Sequence, residues 1–113
     1  MCAEEESYDL VWEETKCPIS NALDAVGGKW NYKIILSLNR ECKRFGELLE
    51  SLNGISAKTL TCSLKKLEKK NIINKTVYPV VPSHVEYELT KKGKSLHKVL
   101  YEMYSWGRQW EEK

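Results

Sequence analysis

Residues 44 to 70 decide the fold: Arg44-Phe45-Gly46-Glu47-Leu48-Leu49-Glu50-Ser51-Leu52, then Asn53-Gly54, then Ile55-Ser56-Ala57-Lys58-Thr59-Leu60-Thr61-Cys62-Ser63-Leu64-Lys65-Lys66-Leu67-Glu68-Lys69-Lys70. Both outer runs carry helical patterning, and the Asn-Gly pair between them is turn chemistry, so the stretch predicts two helices joined by a turn. Ser56 suits an N-cap, because its hydroxyl can accept from an amide of the following turn. Behind it Ala57, Leu60, Leu64 and Leu67 recur at steps of three, four and three, which predicts one buried stripe. At about 100° per residue the opposite face collects Lys58, Cys62, Lys65 and Lys69, flanked by Thr59, Thr61 and Lys66. That face is basic, hydroxyl-bearing and nearly free of carboxylates. A helix from Ser56 to Lys70 is ~22 Å long, enough to lie across the major groove of a DNA duplex.

Outward from this unit the pattern changes period. Ile72 to Tyr78 is rich in β-branched and aromatic residues, and Val85-Glu86-Tyr87-Glu88-Leu89 alternates apolar with acidic. Two strands with Pro79 to His84 as their loop predict a β-hairpin. Thr90 then caps a last helix, whose apolar seam of Leu96, Val99, Leu100, Met103, Trp106, Gly107 and Trp110 is wider than one small core needs. Toward the N-terminus, Pro18 suits the first position of a short helix that Gly27-Gly28 ends. A second helix is expected from about Trp30 to Leu38, with Ile34, Ile35 and Leu38 inward and Lys29 and Lys33 nearer solvent. Residues 1 to 16 read as an acidic arm with a short apolar cluster, Tyr8, Leu10, Val11 and Trp12, that must dock on something. The expected class is α+β, mainly α: a winged helix-turn-helix with a two-stranded wing and terminal dimerisation helices, the arm at 1–16 and the domain at 17–113.

The 113 residues fit one domain, and 42% apolar with 30% charged residues excludes a disordered or fibrous chain. No apolar stretch approaches the ~20 residues of a membrane span, and the first residues lack the order of a secretory signal, so a cytoplasmic protein is expected. Net charge is only +2. Residues 1 to 28 nevertheless hold one basic side chain against seven acidic ones, and residues 29 to 113 hold seventeen basic against nine acidic. A basic body suggests a polyanionic partner, most often nucleic acid, although a lysine-rich solvated surface has the same composition. Cys2, Cys17, Cys42 and Cys62 are spaced by 15, 25 and 20 positions, unlike a zinc knuckle, and His84 and His97 lie far from them. No metal, cofactor or structural disulfide is expected. Gly27-Gly28-Lys29 lacks the spacing of a phosphate loop and reads as a helix boundary.

The residues with matching chemistry can be assigned roles. Ser56, Lys58, Thr59, Thr61, Cys62 and Lys65 are candidates for base contacts, being short polar or long basic groups near the start of the helix. Lys66, Lys69 and Lys75, with Lys43 and Arg44 at the start of the supporting helix, suit phosphates. Cys17 stands between Lys16 and Pro18 at a helix start, where an ammonium and unpaired amides stabilise a thiolate. It is the candidate redox-sensing thiol, ahead of Cys42 and Cys2. Tyr8, Leu10, Val11, Trp12, Leu96, Val99, Leu100, Met103, Trp106 and Trp110 are the expected dimer seam.

From Cys17 to Trp110 the chain resembles the HxlR family of winged-helix transcription regulators. The resemblance rests on Cys17-Pro18-Ile19, Gly27-Gly28-Lys29-Trp30, Arg44-Phe45-Gly46-Glu47-Leu48 and Gly54-Ile55-Ser56. It continues through Leu60-Thr61, Leu64-Lys65-Lys66-Leu67-Glu68, Tyr78-Pro79, Pro82, Val85-Glu86-Tyr87 and Leu89-Thr90-Lys91-Lys92-Gly93. It implies a homodimeric, nucleoid-associated DNA-binding regulator whose terminal helices form the dimer, in a family where many members respond to oxidants or electrophiles through thiols. His84, on the wing, is a further candidate for DNA contact, at a position that similar proteins commonly fill with Arg or Lys, and Cys62 stands where they usually place another small polar residue.

Two other classes compete. A small thiol enzyme could use Cys17 with His84 or His97, but the sequence offers no local arrangement of nucleophile, base and oxyanion donors. A dimeric interaction module could bind a protein partner through the acidic arm without touching DNA.

Overall fold

Pro18 opens the first described helix, α1 (Pro18–Val26), in a computed structural model that describes residues 18–39 and 41–111. Gly28, at φ +84°, turns the chain into α2 (Asn31–Ser37). A two-residue strand, β1 (Lys43–Arg44), leads into α3 (Phe45–Ser51). After the Asn53-Gly54 turn, where Gly54 holds φ +93°, comes α4 (Ala57–Lys69). The wing strands β2 (Ile73–Tyr78) and β3 (His84–Leu89) follow, and α5 (Lys91–Gln109) closes the chain.

The core is the meeting point of α2, α3, α4, the first half of α5 and the root of the wing. Ile34, Ile35 and Leu38 from α2 and its end, Leu48 from α3, Leu60, Leu64 and Leu67 from α4, and Ile72 and Ile73 at the wing root are all fully buried. The expected α2 and α4 stripes are therefore the ones that pack. Ala57 differs: it is exposed, because the first turn of α4 projects past the core and packing begins at Leu60.

The sheet has three strands in the order β1-β3-β2, not two. β3 is central, antiparallel to β2 from Ile73↔Leu89 to Tyr78↔His84 and to β1 through Lys43↔Tyr87 and Arg44↔Glu86. Two residues are too few to show a period of two in sequence, so β1 gives no signal of its own. Beyond Ile73 every residue of β2 is exposed, since the wing extends away from the body.

α5 is fixed at its start by a dense junction. Thr90 Oγ1 accepts from the Gly93 amide at 3.0 Å and lies 2.6 Å from the Asn71 carbonyl oxygen, to which it donates, while the Thr90 amide donates to Ile72 O at 3.0 Å. Gly93 is obligatory there, because a Cβ would fall 2.2 Å from Ile72 O. Further along, Leu100 is buried in the body's own core and Leu96 packs against it, so Leu100 is not free for a partner as the seam reading expected. From Tyr101 onward every described residue is exposed. α1 has no buried residue; an ion pair between Asp24 and Lys70, the residue that ends α4, ties it down and holds the Asp24 carboxyl below its ordinary range.

Candidate nucleic-acid interface

The outer face of α4 is set by its inner one. With Leu60, Leu64 and Leu67 buried, Lys58, Thr61, Cys62, Lys65, Lys66 and Lys69 are left exposed. Glu68 is the single carboxylate on this helix.

Hydroxyl geometry refines which groups on this face can read DNA. Ser56 Oγ accepts from the Thr59 amide at 3.1 Å and donates to Thr59 Oγ1 at 2.9 Å, so Ser56 is occupied as a cap and its hydrogen is spent. Thr59, half-buried, keeps its own hydroxyl hydrogen for donation. Thr61 Oγ1 donates to Ala57 O at 2.8 Å, which leaves it only lone pairs to offer a base. A base amino group, N6 of adenine or N4 of cytosine, is the partner such an oxygen accepts from.

Around α4 the other candidates fall into place unevenly. Arg44 is exposed on β1, and its amide donates to Glu47 Oε1 at 2.8 Å to begin α3. Lys43 is half-buried, and Lys75 is exposed on β2. His84 departs from the wing-contact reading. Its ring stacks on Tyr78 at 4.8 Å and its Nε2 lies 3.1 Å from Glu86 Oε2, leaving the side chain 22% exposed. The wing loop instead presents Val80 and Val81, the latter 97% exposed, a feature that the Pro79-Val80-Val81-Pro82 run could have signalled.

Two of the cysteines are described, and both are free thiols on the surface. Cys62 lies on the α4 face. Cys42 donates to Glu86 Oε1 at 3.2 Å, a contact that sequence spacing did not reveal. That hydrogen bond, with partial desolvation behind it, pushes the Cys42 thiol up and makes it a weaker nucleophile. Cys17, and with it Tyr8, Leu10, Val11 and Trp12, lies outside the described residues. Among the described residues no group of three or more His, Cys, Asp or Glu side chains could hold a metal ion.

The outer half of α5 carries Val99, Met103, Trp106 and Trp110 on the surface, with Tyr101 and Tyr104 beside them. An open apolar groove of about 360 Å³ runs along this helix, lined by Val26, Tyr32, Leu36, Leu100, Met103 and Tyr104. Among the described residues no helix is long and apolar enough to cross a membrane.

Similarity to known proteins identifies the family. The profile of the HxlR-like helix-turn-helix family matches residues 25–113. The HTH-type transcriptional regulator sll1512 of Synechocystis sp. is 42% identical over 96 residues, 85% of this chain and 71% of its own. Reduced YodB, a transcriptional regulator from B. subtilis, is similar in structure with a TM-score of 0.77 at 39% identity, over 87% of this chain and 97% of that one. The redox regulator HypR in its oxidized form gives a TM-score of 0.78 at 34% identity, over 86% of this chain and all of HypR.

Proposed function

Because this chain belongs to the HxlR-like helix-turn-helix family of transcription regulators, we propose that it binds a pseudo-palindromic operator as a homodimer, with α4 in the major groove. One observation carries the reading: the face of α4 opposite Leu60, Leu64 and Leu67 is an exposed field of lysines and hydroxyls with a single carboxylate on the helix. Lys58, Thr59, Thr61, Cys62 and Lys65 meet base edges, and Lys43, Arg44, Lys66, Lys69 and Lys75 meet phosphates. Ser56 acts through the helix start it caps. His84 serves the wing by holding Glu86 and Tyr78 together.

The dimer forms through Val99, Met103, Trp106 and Trp110 of α5, with the arm residues Tyr8, Leu10, Val11 and Trp12 contributing. Support comes from the exposure of four large apolar side chains along one helix, far more than an unpartnered surface element needs. Two-fold symmetry then sets two copies of α4 ~34 Å apart, one turn of DNA. The chain works without catalysis, bound to DNA in the cytoplasm.

Cys17 is the sensing thiol in this reading. Its place in sequence just before Pro18, which opens α1, supports this, as does similarity to a redox regulator. Oxidation or alkylation there shifts the spacing of the two α4 helices, and a dimer that no longer fits both half-sites loses the gain of binding them together.

The test is binding of fluorescent duplexes, selected by the protein from a random-sequence pool, by wild type and by a folded variant with Lys58, Lys65 and Lys69 replaced by Ala. Unchanged affinity in that variant removes α4 as the docking face. Titration with diamide, comparing wild type with Cys17→Ser, tests the sensor. A full oxidant response in Cys17→Ser makes Cys17 structural.

A further inference from the structure

Trp30 lies just ahead of α2, half-buried against the core. Its six-membered ring sits beside the turn that feeds α4: a Cβ built on Gly54 would meet Trp30 Cη2 at 4.0 Å. Two lysines are drawn to this same indole. Lys33 Nζ lies 4.8 Å from the ring centroid and Lys29 Nζ 5.2 Å. The π-faces of an indole attract cations, and both lysines keep their ammonium groups within reach of this ring.

Two ammonium groups gathered on one ring repel each other unless an anion joins them. Among the described residues the ion pairs are Lys70 with Asp24 and His84 with Glu86, so neither Lys29 nor Lys33 is answered by a carboxylate there. Gly54 lies two residues before the cap of α4, which places the Trp30 platform beside the end of that helix whose residues approach base edges. The wall of the groove at that end is a row of phosphodiesters. Lysine meets phosphate as a point charge and needs no particular orientation.

We propose that Lys29 and Lys33, seated on Trp30, form a phosphate clamp that grips the DNA backbone beside the groove entered by α4. The clamp rests on the reading of α4 as the groove-entering helix and extends its footprint along the backbone. It contributes affinity without sequence preference, because it touches no base.

The experiment measures binding as a function of salt for wild type, Lys29→Gln/Lys33→Gln and Lys29→Arg/Lys33→Arg. The probes are a duplex selected by the wild type from a random pool and a scrambled duplex. Each lost phosphate contact removes ~0.9 from the log–log salt slope, and the dimer carries each lysine twice, so the Gln pair is expected to bind with a slope shallower by about 3.6 on both duplexes. The preference between the duplexes stays as in wild type, and the Arg pair restores the slope. A Gln pair with the wild-type slope overturns the clamp, as does one that loses the preference between duplexes, which would mean that α4 itself has moved. The Lys58, Lys65 and Lys69 variant separates the two readings: if it loses binding while the Gln pair keeps its slope, only the clamp is wrong. If the wild type binds neither duplex, both readings are wrong.

Discussion

Cys42 and Glu86 are 44 residues apart in sequence, yet the thiol of the first donates to Oε1 of the second at 3.2 Å, while the other carboxylate oxygen faces His84 at 3.1 Å. The contact joins the residue preceding β1 to the middle of the wing. It also shifts the titration of both partners in opposite directions. Glu86 is lowered first by the Cys42 hydrogen bond and also by His84, whereas Cys42 is raised by Glu86.

These shifts set a pH window. A lowered carboxyl stabilises the fold above its ordinary value of 4.5 and loses that contribution as pH falls through its folded value. A raised thiol stabilises below its ordinary value of 9.0 and loses its contribution as pH climbs through the folded value. Alkylation by iodoacetamide near pH 8, followed by mass spectrometry, is expected to label Cys62 before Cys42. Glu86→Gln is expected to speed labelling of Cys42. Equal rates at Cys42 in wild type and Glu86→Gln would deny the contact a role.

On the α4 face the individual side chains should separate by function. Lys69→Ala is expected to weaken binding alike on every duplex and to flatten the salt slope by ~1.8, one contact in each half of the dimer. Thr61→Ala is expected to cost ~1–3 kcal/mol at one base-pair position and to leave the slope unchanged. Anisotropy titrations against a panel of single-base variants distinguish these outcomes.

Stability should follow burial and caps. Leu64→Ala is expected to cost ~2–5 kcal/mol, since a fully buried stripe position leaves a cavity. Ser56→Ala is expected to cost about 1 kcal/mol through loss of the bond to the Thr59 amide. Gly93→Ala should exceed the cap effect, because a Cβ 2.2 Å from a backbone oxygen forces the start of α5 off the wing root. Urea unfolding followed by far-ultraviolet circular dichroism ranks the three.

For assembly, Met103→Asp is expected to shift sedimentation from dimer to monomer at micromolar concentration, because it would bury an unpaired charge in the seam. Its far-ultraviolet circular dichroism should stay that of a folded chain, since Met103 lies on the surface of the body. A wild type that sediments as a monomer contradicts the seam.

Much of this was legible in sequence because periodic burial and capping are local. Leu60, Leu64 and Leu67, the Ser56 and Thr90 caps, and the alternation from Val85 to Leu89 each announce themselves within a few residues. What escaped depends on contacts across the fold. β1 exists because β3 offers it an edge, and Ala57 is exposed because the core begins one turn later. Leu100 and Met103 share a stripe in sequence, but the body ends between them, so one packs inward and the other stays on the surface. The occupation of the Ser56 and Thr61 hydroxyls by their own helix, and of His84 by Glu86, needed side-chain geometry that spacing does not contain.

The junction of Thr90 and Gly93 with Ile72 has an engineering consequence. It welds the start of α5 to the root of the wing, immediately after α4 ends, so the direction in which the seam points is inherited from the DNA-reading body. In the proposed dimer the span between the two bodies is then governed by how far along α5 the seam lies. Seven residues inserted after Leu100 would carry Met103, Trp106 and Trp110 of the seam ~10.5 Å outward on nearly the same face. Such a chain keeps its reading helix and core intact, and selection from a random pool should return the same half-site at a different spacing.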